Sequence, residues 1–141
     1  MLSPEQQNQF TKDGYLLIPD FKRDEEISKL RARALQIVDD FDPGEHRSIF
    51  TTQNQETATD TYFLRSDNTM RCFFEEEAFG DDGRLRQPKA LSINKIGHAM
   101  HDLDPVFDAF SRGPALDAVA RSLGLAEPLI WQSMYIFKQS G

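Results

Sequence analysis

Apolar residues recur at helical spacing over positions 24–41, with lysine and arginine residues on the opposite face. This spacing predicts the longest helix of the chain. A shorter helix is predicted from position 4 to about position 12, because Ser3 and Gln6 can form a capping box and Pro4 suits the first helical position. The apolar stripe of the long helix consists of Ile27, Leu30, Ala34, Ile37, Val38 and Phe41.

Three more helices are predicted in the second half of the chain. Pro105 indicates a helical turn over 104–110, and Pro114 begins a helix that Gly124 ends. A helix capped by Ser92 is also predicted, because apolar residues follow at positions i, i+3, i+7 and i+10. The stripe of that helix consists of Ile93, Ile96, Met100 and Leu103.

Short runs of β-branched, aromatic and apolar residues predict four strands. A polar stretch over 45–60 predicts a loop of the length that is typical of lids and mobile segments. Helices and strands together favour an α+β fold, with residues 1–141 forming a single domain. The predicted strands are 15–18, 61–64, 70–74 and 128–138.

The chain of 141 residues carries a net charge of -7. This acidity argues against nucleic-acid binding and against docking on an anionic membrane, because both need a basic surface. No apolar run approaches the roughly 20 residues that span a membrane, and the N-terminus lacks the apolar core of a signal peptide. Cys72 is the one cysteine, so no internal disulfide can form, and we expect a cytoplasmic protein.

Three histidines, His46, His98 and His101, are the candidates for metal ligands. A non-haem iron site uses two histidines and one carboxylate, commonly as His-x-Asp or His-x-Glu with a second histidine far downstream. No carboxylate stands two residues after any of the three, so the sequence assigns neither an iron ligand nor a catalytic residue. On the predicted helix, His98 and His101 share a face. They are either a metal-binding pair or partly exposed helix histidines beside acidic neighbours.

Lys95 lies in the stretch Ser-Ile-Asn-Lys-Ile-Gly-His, where Gly97 leaves room beside it. Two interpretations remain open from the residues themselves. Lys95 is either a solvated helix lysine or a compact charge that meets a carboxylate ligand.

Two longer motifs stand out. Leu-Ser-Ile-Asn-Lys-Ile-Gly-His-Ala-Met-His occupies 91–101, and Gln-Ser-Met-Tyr-Ile-Phe-Lys-Gln occupies 132–139. Segments 10–21, 59–64, 70–75, 104–107 and 120–125 accompany them in the same order. Together these motifs cover nearly the whole chain and resemble the phytanoyl-CoA dioxygenase family.

The resemblance implies the N-terminal helices and first strands of a double-stranded β-helix (jelly-roll or cupin-like) oxygenase that uses Fe(II) and 2-oxoglutarate. Lys95 matches the family lysine that contacts 2-oxoglutarate, and Met134 matches a methionine that lines the same site. The family's iron ligands lie downstream of these motifs. The chain is therefore expected to be an N-terminal part, truncated before the core closes and binding neither cofactor tightly alone. Its substrate is an unidentified small molecule.

Two alternatives belong to other functional classes. The chain could be a non-catalytic module that pairs with another chain, or with itself, through strand 128–138, since an added strand would satisfy an exposed edge. It could also be a small metal-binding protein that uses His98 and His101.

Overall fold

The computed structural model describes residues 1–44, 47–50 and 61–138, and within them the chain forms seven helices and three strands. The order is α1 (Pro4–Asp13), α2 (Asp24–Asp40), α3 (Thr61–Leu64), β1 (Met70–Phe74), α4 (Lys89–Ser92), β2 (Ile93–His98), α5 (Met100–Leu103), α6 (Pro105–Ser111), α7 (Pro114–Ser122) and β3 (Ser133–Ile136). No helix in these residues is long and apolar enough to cross a membrane.

The strands form one antiparallel sheet in the order β1–β2–β3, with β2 in the centre. Lys95 of β2 lies opposite Phe73 and Ile136, and Gly97 lies opposite Met134. Because side chains alternate across a strand, the sheet has two distinct faces. The face that carries Phe73, Lys95, Met134 and Ile136 is called the open face below.

The opposite face of the sheet closes the hydrophobic core against the helices. The helical spacing predicted for α2 is confirmed, because its residues Ala34 and Val38 are fully buried in this core. The core cluster comprises Ala34, Val38, Cys72, Phe74, Ala78, Ile93, Ile96, Met100 and Phe107.

An ion pair between a partly buried arginine and a buried aspartate joins α2 to the start of α6. Arg33 Nε donates to Asp104 Oδ2 over 2.6 Å. The other carboxylate oxygen of Asp104 accepts hydrogen bonds from the amides of Val106 and Phe107, and so caps α6. The helical turn predicted at Pro105 is confirmed, and one carboxylate holds it against the longest helix.

Local signals in the sequence predict the ends of α1 and α7. The capping box of Ser3 and Gln6 is present at α1, and Gly14 ends that helix with a φ of 78°. The helix that begins at Pro114 is also confirmed, with Gly124 at a φ of 91° just beyond it.

The prediction of a helix that begins at Ser92 is wrong. Ser92 ends the short helix α4, residues Ile93–His98 form the central strand β2, and a helical turn resumes only at Met100. A central strand that is buried on both faces shows no polar alternation, so its apolar spacing cannot be distinguished from that of a buried helix.

Two predicted strands are absent and a third is shorter than expected. Thr61–Leu64 is the helical turn α3, in which the neighbouring rings of Tyr62 and Phe63 both contact Phe73. Consecutive strand residues point to opposite faces and could not both make that contact. Residues 15–18 are not a strand, with the side chain of Leu17 78% exposed, and the strand predicted over 128–138 extends only over Ser133–Ile136.

The loop predicted over 45–60 lies largely outside the described residues. Its described part, 47–50, runs beside β1, where Phe50 donates its amide proton to the carbonyl of Phe74 and Phe74 donates to that of Ser48. This pairing places Phe50 next to the open face.

Candidate anion-binding site

Lys95 lies at the centre of β2 and is almost completely buried, with 3% of its surface exposed. Its ammonium nitrogen lies 3.5 Å from the ring centre of Phe50, 5.3 Å from that of Phe63 and 5.2 Å from that of Phe73. Aromatic rings attract a cation through the negative potential of their faces. We call these three phenylalanines and Lys95 the aromatic cage.

The ammonium group of Lys95 has three protons to donate but lacks a carboxylate partner among residues 1–44, 47–50 and 61–138. Its one polar neighbour there is the Met134 sulfur, a weak acceptor at 3.8 Å. Burial lowers the pKa of Lys95 to about 8. A buried cation without a counter-ion is unfavourable alone, and a bound anion would relieve that cost.

Met134 reaches Lys95 from the neighbouring strand across a glycine. A Cβ atom at Gly97, which lies opposite Met134, would be 3.7 Å from the Met134 Cγ atom. The methionine packs over the glycine and remains half exposed on the open face. The structure therefore brings together the two residues that the family resemblance assigned to one site. It excludes the interpretation of Lys95 as a solvated helix lysine.

His98 lies at the end of β2, and sequence reasoning considered it only as a metal ligand. Its ring contacts Phe63 and Phe73, with ring centres 5.6 Å and 5.5 Å away, so it borders the aromatic cage. The Nδ1 atom lies 2.7 Å from Ser66 Oγ, whereas Nε2 is buried without a partner in the described residues. Burial, reinforced by the positive charge of Lys95, lowers the pKa of His98.

His98 and His101 do not share a helix face, so that expectation is wrong. His101 belongs to α5, where its Nδ1 atom lies 2.8 Å from Ser133 Oγ and its Nε2 atom lies 3.4 Å from Asp102 Oδ2. Neither histidine is partly exposed.

The described part of the chain does not fit an iron centre. Three or more His, Cys, Asp or Glu side chains do not converge anywhere within it, whereas non-haem iron needs two histidines and a carboxylate. Cys72 fits a structural role, because it is buried and burial raises the pKa of its thiol to about 12.

The Lys95 ammonium lies within aromatic rings on one face of a helix-backed antiparallel sheet and has no carboxylate partner between residues 61 and 138 or in the other described ranges. This arrangement defines an α+β fold with a candidate anion-binding site. The chain belongs to the phytanoyl-CoA dioxygenase family: the family model described as Phytanoyl-CoA dioxygenase (PhyH) matches residues 10–141.

Individual relatives agree with this assignment. The chain is 49% identical over 140 residues to a protein named Phytanoyl-CoA dioxygenase from Arabidopsis thaliana, covering 99% of this chain and 49% of the relative. It is 44% identical over 140 residues to Phytanoyl-CoA dioxygenase 1 of Oryza sativa subsp. japonica, covering 99% of this chain and 49% of the relative. It is also 44% identical over 144 residues to Phytanoyl-CoA dioxygenase domain-containing protein 1 of Mus musculus, covering 98% and 49%. The chain thus spans about half the length of the curated relatives it matches.

Proposed function

We propose that this chain contributes the cosubstrate-binding side of an Fe(II)- and 2-oxoglutarate-dependent dioxygenase. The observation that carries the proposal is the buried ammonium of Lys95, which lacks an anionic partner in the described residues. 2-Oxoglutarate is a dianion, and one of its carboxylates would provide that partner. Membership of the phytanoyl-CoA dioxygenase family supports the same assignment.

In this proposal Lys95, two rings of the aromatic cage and Met134 each have a defined task. The Lys95 ammonium binds a carboxylate, and the rings of Phe50 and Phe73 exclude water, so that the ion pair is stronger than it would be at the surface. Met134 limits the width of the pocket from the neighbouring strand. When bound, 2-oxoglutarate supplies two electrons for the reduction of oxygen as it is converted to succinate and carbon dioxide.

The iron ligands belong, in this proposal, to the other half of the family domain. The three strands would form part of a double-stranded β-helix, and further strands would cover the open face, where Ile136 is 57% exposed. The reaction would take place in the cytoplasm on a small-molecule substrate.

The test begins with the transcript, which is read beyond the codon for Gly141 to obtain the complete reading frame. Iron-dependent conversion of 2-oxoglutarate to succinate is then measured for the encoded protein and its Lys95→Met variant. Methionine keeps the length of the side chain and removes its charge. Loss of a buried charge-assisted contact should raise the KM for 2-oxoglutarate about 100-fold, which corresponds to about 2.7 kcal/mol.

Lys12→Met is the matched control, because Lys12 is exposed on α1, away from the sheet. It should leave the KM for 2-oxoglutarate unchanged. A protein that forms no succinate from 2-oxoglutarate, or a Lys95→Met variant with the wild-type KM, would contradict the proposal.

A further inference from the structure

His98 borders a cleft that the cosubstrate proposal leaves unused. The cleft has a volume of about 360 Å³ and lies between α3, the end of β2 and the segment that leads into β3. Apolar and polar side chains both line it, and His98 is one of the lining residues. The lining includes Phe63, Leu64, Trp131, Asp67, Gln132 and His98.

The hydrogen bonds of Ser66 fix the tautomer of His98. Ser66 Oγ lies 2.5 Å from the carbonyl oxygen of Phe63, and two oxygens approach that closely only with a proton between them. The single hydroxyl proton is thus donated to Phe63, so Ser66 Oγ accepts from His98 Nδ1–H at 2.7 Å. A neutral imidazole carries one N–H, which leaves His98 Nε2 as a bare acceptor.

The Nε2 acceptor is buried, because His98 is only 4% exposed, and it has no donor among the described residues. A buried acceptor without a donor destabilises the fold, and most such atoms in proteins are satisfied. The ring also stays neutral, because burial and the charge of Lys95 lower the pKa of His98. Nε2 therefore remains an acceptor at neutral pH.

2-Oxoglutarate cannot satisfy this atom. Its two carboxylates and its keto group offer acceptors but no donor at neutral pH, so it suits Lys95 and would be repelled by His98 Nε2. The two residues nevertheless flank the same two rings, Phe63 and Phe73. A second molecule with a donor could therefore lie beside the cosubstrate.

We propose that His98 Nε2 accepts a hydrogen bond from the primary substrate, and that this substrate is an apolar molecule with a hydroxyl or N–H group. The inference rests on the proposed function for the identity of the neighbouring ligand. It makes His98 a specificity-determining residue, because an unpaired buried polar group rejects a ligand far more strongly than an imperfect apolar contact does. A plain hydrocarbon chain would leave Nε2 without a donor and would be disfavoured.

The test compares two probes that differ in one group. Indole carries an N–H donor, whereas benzofuran has nearly the same shape and an ether oxygen in its place. Binding of each to the full chain is measured by titration, while the ¹⁵N resonances of the His98 ring report its tautomer. Indole should bind about tenfold more tightly, which corresponds to about 1.4 kcal/mol. It should also shift the Nε2 resonance towards higher field, and benzofuran should not.

Two variants separate the acceptor from the shape of the ring. His98→Phe keeps an aromatic ring without an acceptor and should bind both probes equally. His98→Gln restores an acceptor oxygen and should recover part of the preference for indole. If His98→Phe fails to fold, the wild-type Nε2 resonance and the His98→Gln variant decide the outcome. Equal affinities in the wild type, an unmoved Nε2 resonance, a preference that persists in His98→Phe, or no binding of either probe would overturn the inference.

Neither probe needs iron or 2-oxoglutarate, so the two proposals can fail separately. If Lys95-dependent use of 2-oxoglutarate is found without an indole preference, the proposed role of His98 is refuted and the proposed function is supported. If the indole preference is found without Lys95-dependent use of 2-oxoglutarate, the proposed oxygenase function is refuted. The cleft is then a binding site for molecules that carry a hydrogen-bond donor.

Discussion

The buried ammonium of Lys95 lowers the stability of the fold, although the proposed function depends on its charge. Burial lowers its pKa to about 8 from an ordinary value of 10.5, so the folded protein holds this proton less tightly than the unfolded chain does. Between these two pH values the unfolded state binds more protons, and the contribution of Lys95 to stability therefore rises with pH across that window. Below about pH 8 the folded state must hold the charge at a cost.

Lys95→Met should therefore stabilise the protein near neutral pH by about 2 kcal/mol, because it removes a buried charge that has no counter-ion in the part of the chain that the structure describes. The free energy of unfolding is measured by urea denaturation near neutral pH and near pH 10.5. In the wild type the free energy of unfolding should be higher near pH 10.5 than near neutral pH, and this difference should be smaller in Lys95→Met. Lys12→Met should behave like the wild type. A Lys95→Met protein that is less stable than the wild type near neutral pH would show that the charge already has a partner.

Lys95 and Met134 were joined in one candidate site only through the family resemblance. Spacing alone left Lys95 between a solvated helix lysine and a ligand contact. To choose the second interpretation from the sequence, one would need to know that Met134, 39 residues later, contacts Lys95. That contact is set by the pairing of β2 with β3. The sequence singled out His98 only as a candidate metal ligand, because the hydrogen bonds that fix its tautomer involve Ser66, which is 32 residues earlier in the chain.

Helices and strands differ in how much of their structure was visible in the sequence. The ends of α1, α6 and α7 follow from residues within a few positions of each other, namely a capping box and prolines at the first turn. Strand β2 was predicted as a helix because its residues are buried by partners far away in the chain. The same distinction explains α3, where Tyr62 and Phe63 adopt a helical turn to reach one ring.

The contact between α2 and α6 depends on Asp104, which is 1% exposed and holds both Arg33 and the first turn of α6. Burial alone would raise the pKa of this carboxyl, but the hydrogen bonds from Arg33 and from the amides of Phe107 and Val106 outweigh it, so the pKa is lowered. The resulting stabilisation is present above the ordinary value of 3.8 and is lost as the pH falls through the lower folded-state value.

Asp104→Asn should lower the free energy of unfolding at neutral pH by about 3 kcal/mol, because Arg33 loses its charged partner in a largely buried setting. Urea denaturation at neutral pH and at successively lower pH values below 3.8 should show that wild type and variant converge as the pH falls through the lowered folded-state pKa of Asp104. Asp40→Asn removes an exposed carboxylate at the end of α2 and serves as the control. A loss of stability that stays constant down to the acid limit would assign the effect to side-chain shape instead of charge.

At the scale of the whole molecule, the sheet ends at β3, whose outer edge has no partner strand among the described residues. The segment leading into β3 exposes Trp131 by 95% and Leu129 by 92%. Exposed strand edges next to apolar side chains are sites of association between chains. If the sheet is half of a larger β-helix, the 141-residue chain alone should use this edge to associate with itself.

Sedimentation velocity should therefore show association of the isolated chain that increases with protein concentration. Replacing Leu129 and Trp131 together by lysine should return it to a monomer, since charge on an edge blocks pairing with another chain. Leu91→Lys, a change of similar size at an exposed position on α4, should leave the association unchanged. A chain that stays monomeric at all concentrations and unfolds cooperatively would mean that these residues form a self-sufficient domain. That result would also exclude the alternative in which the chain pairs with itself through the segment 128–138.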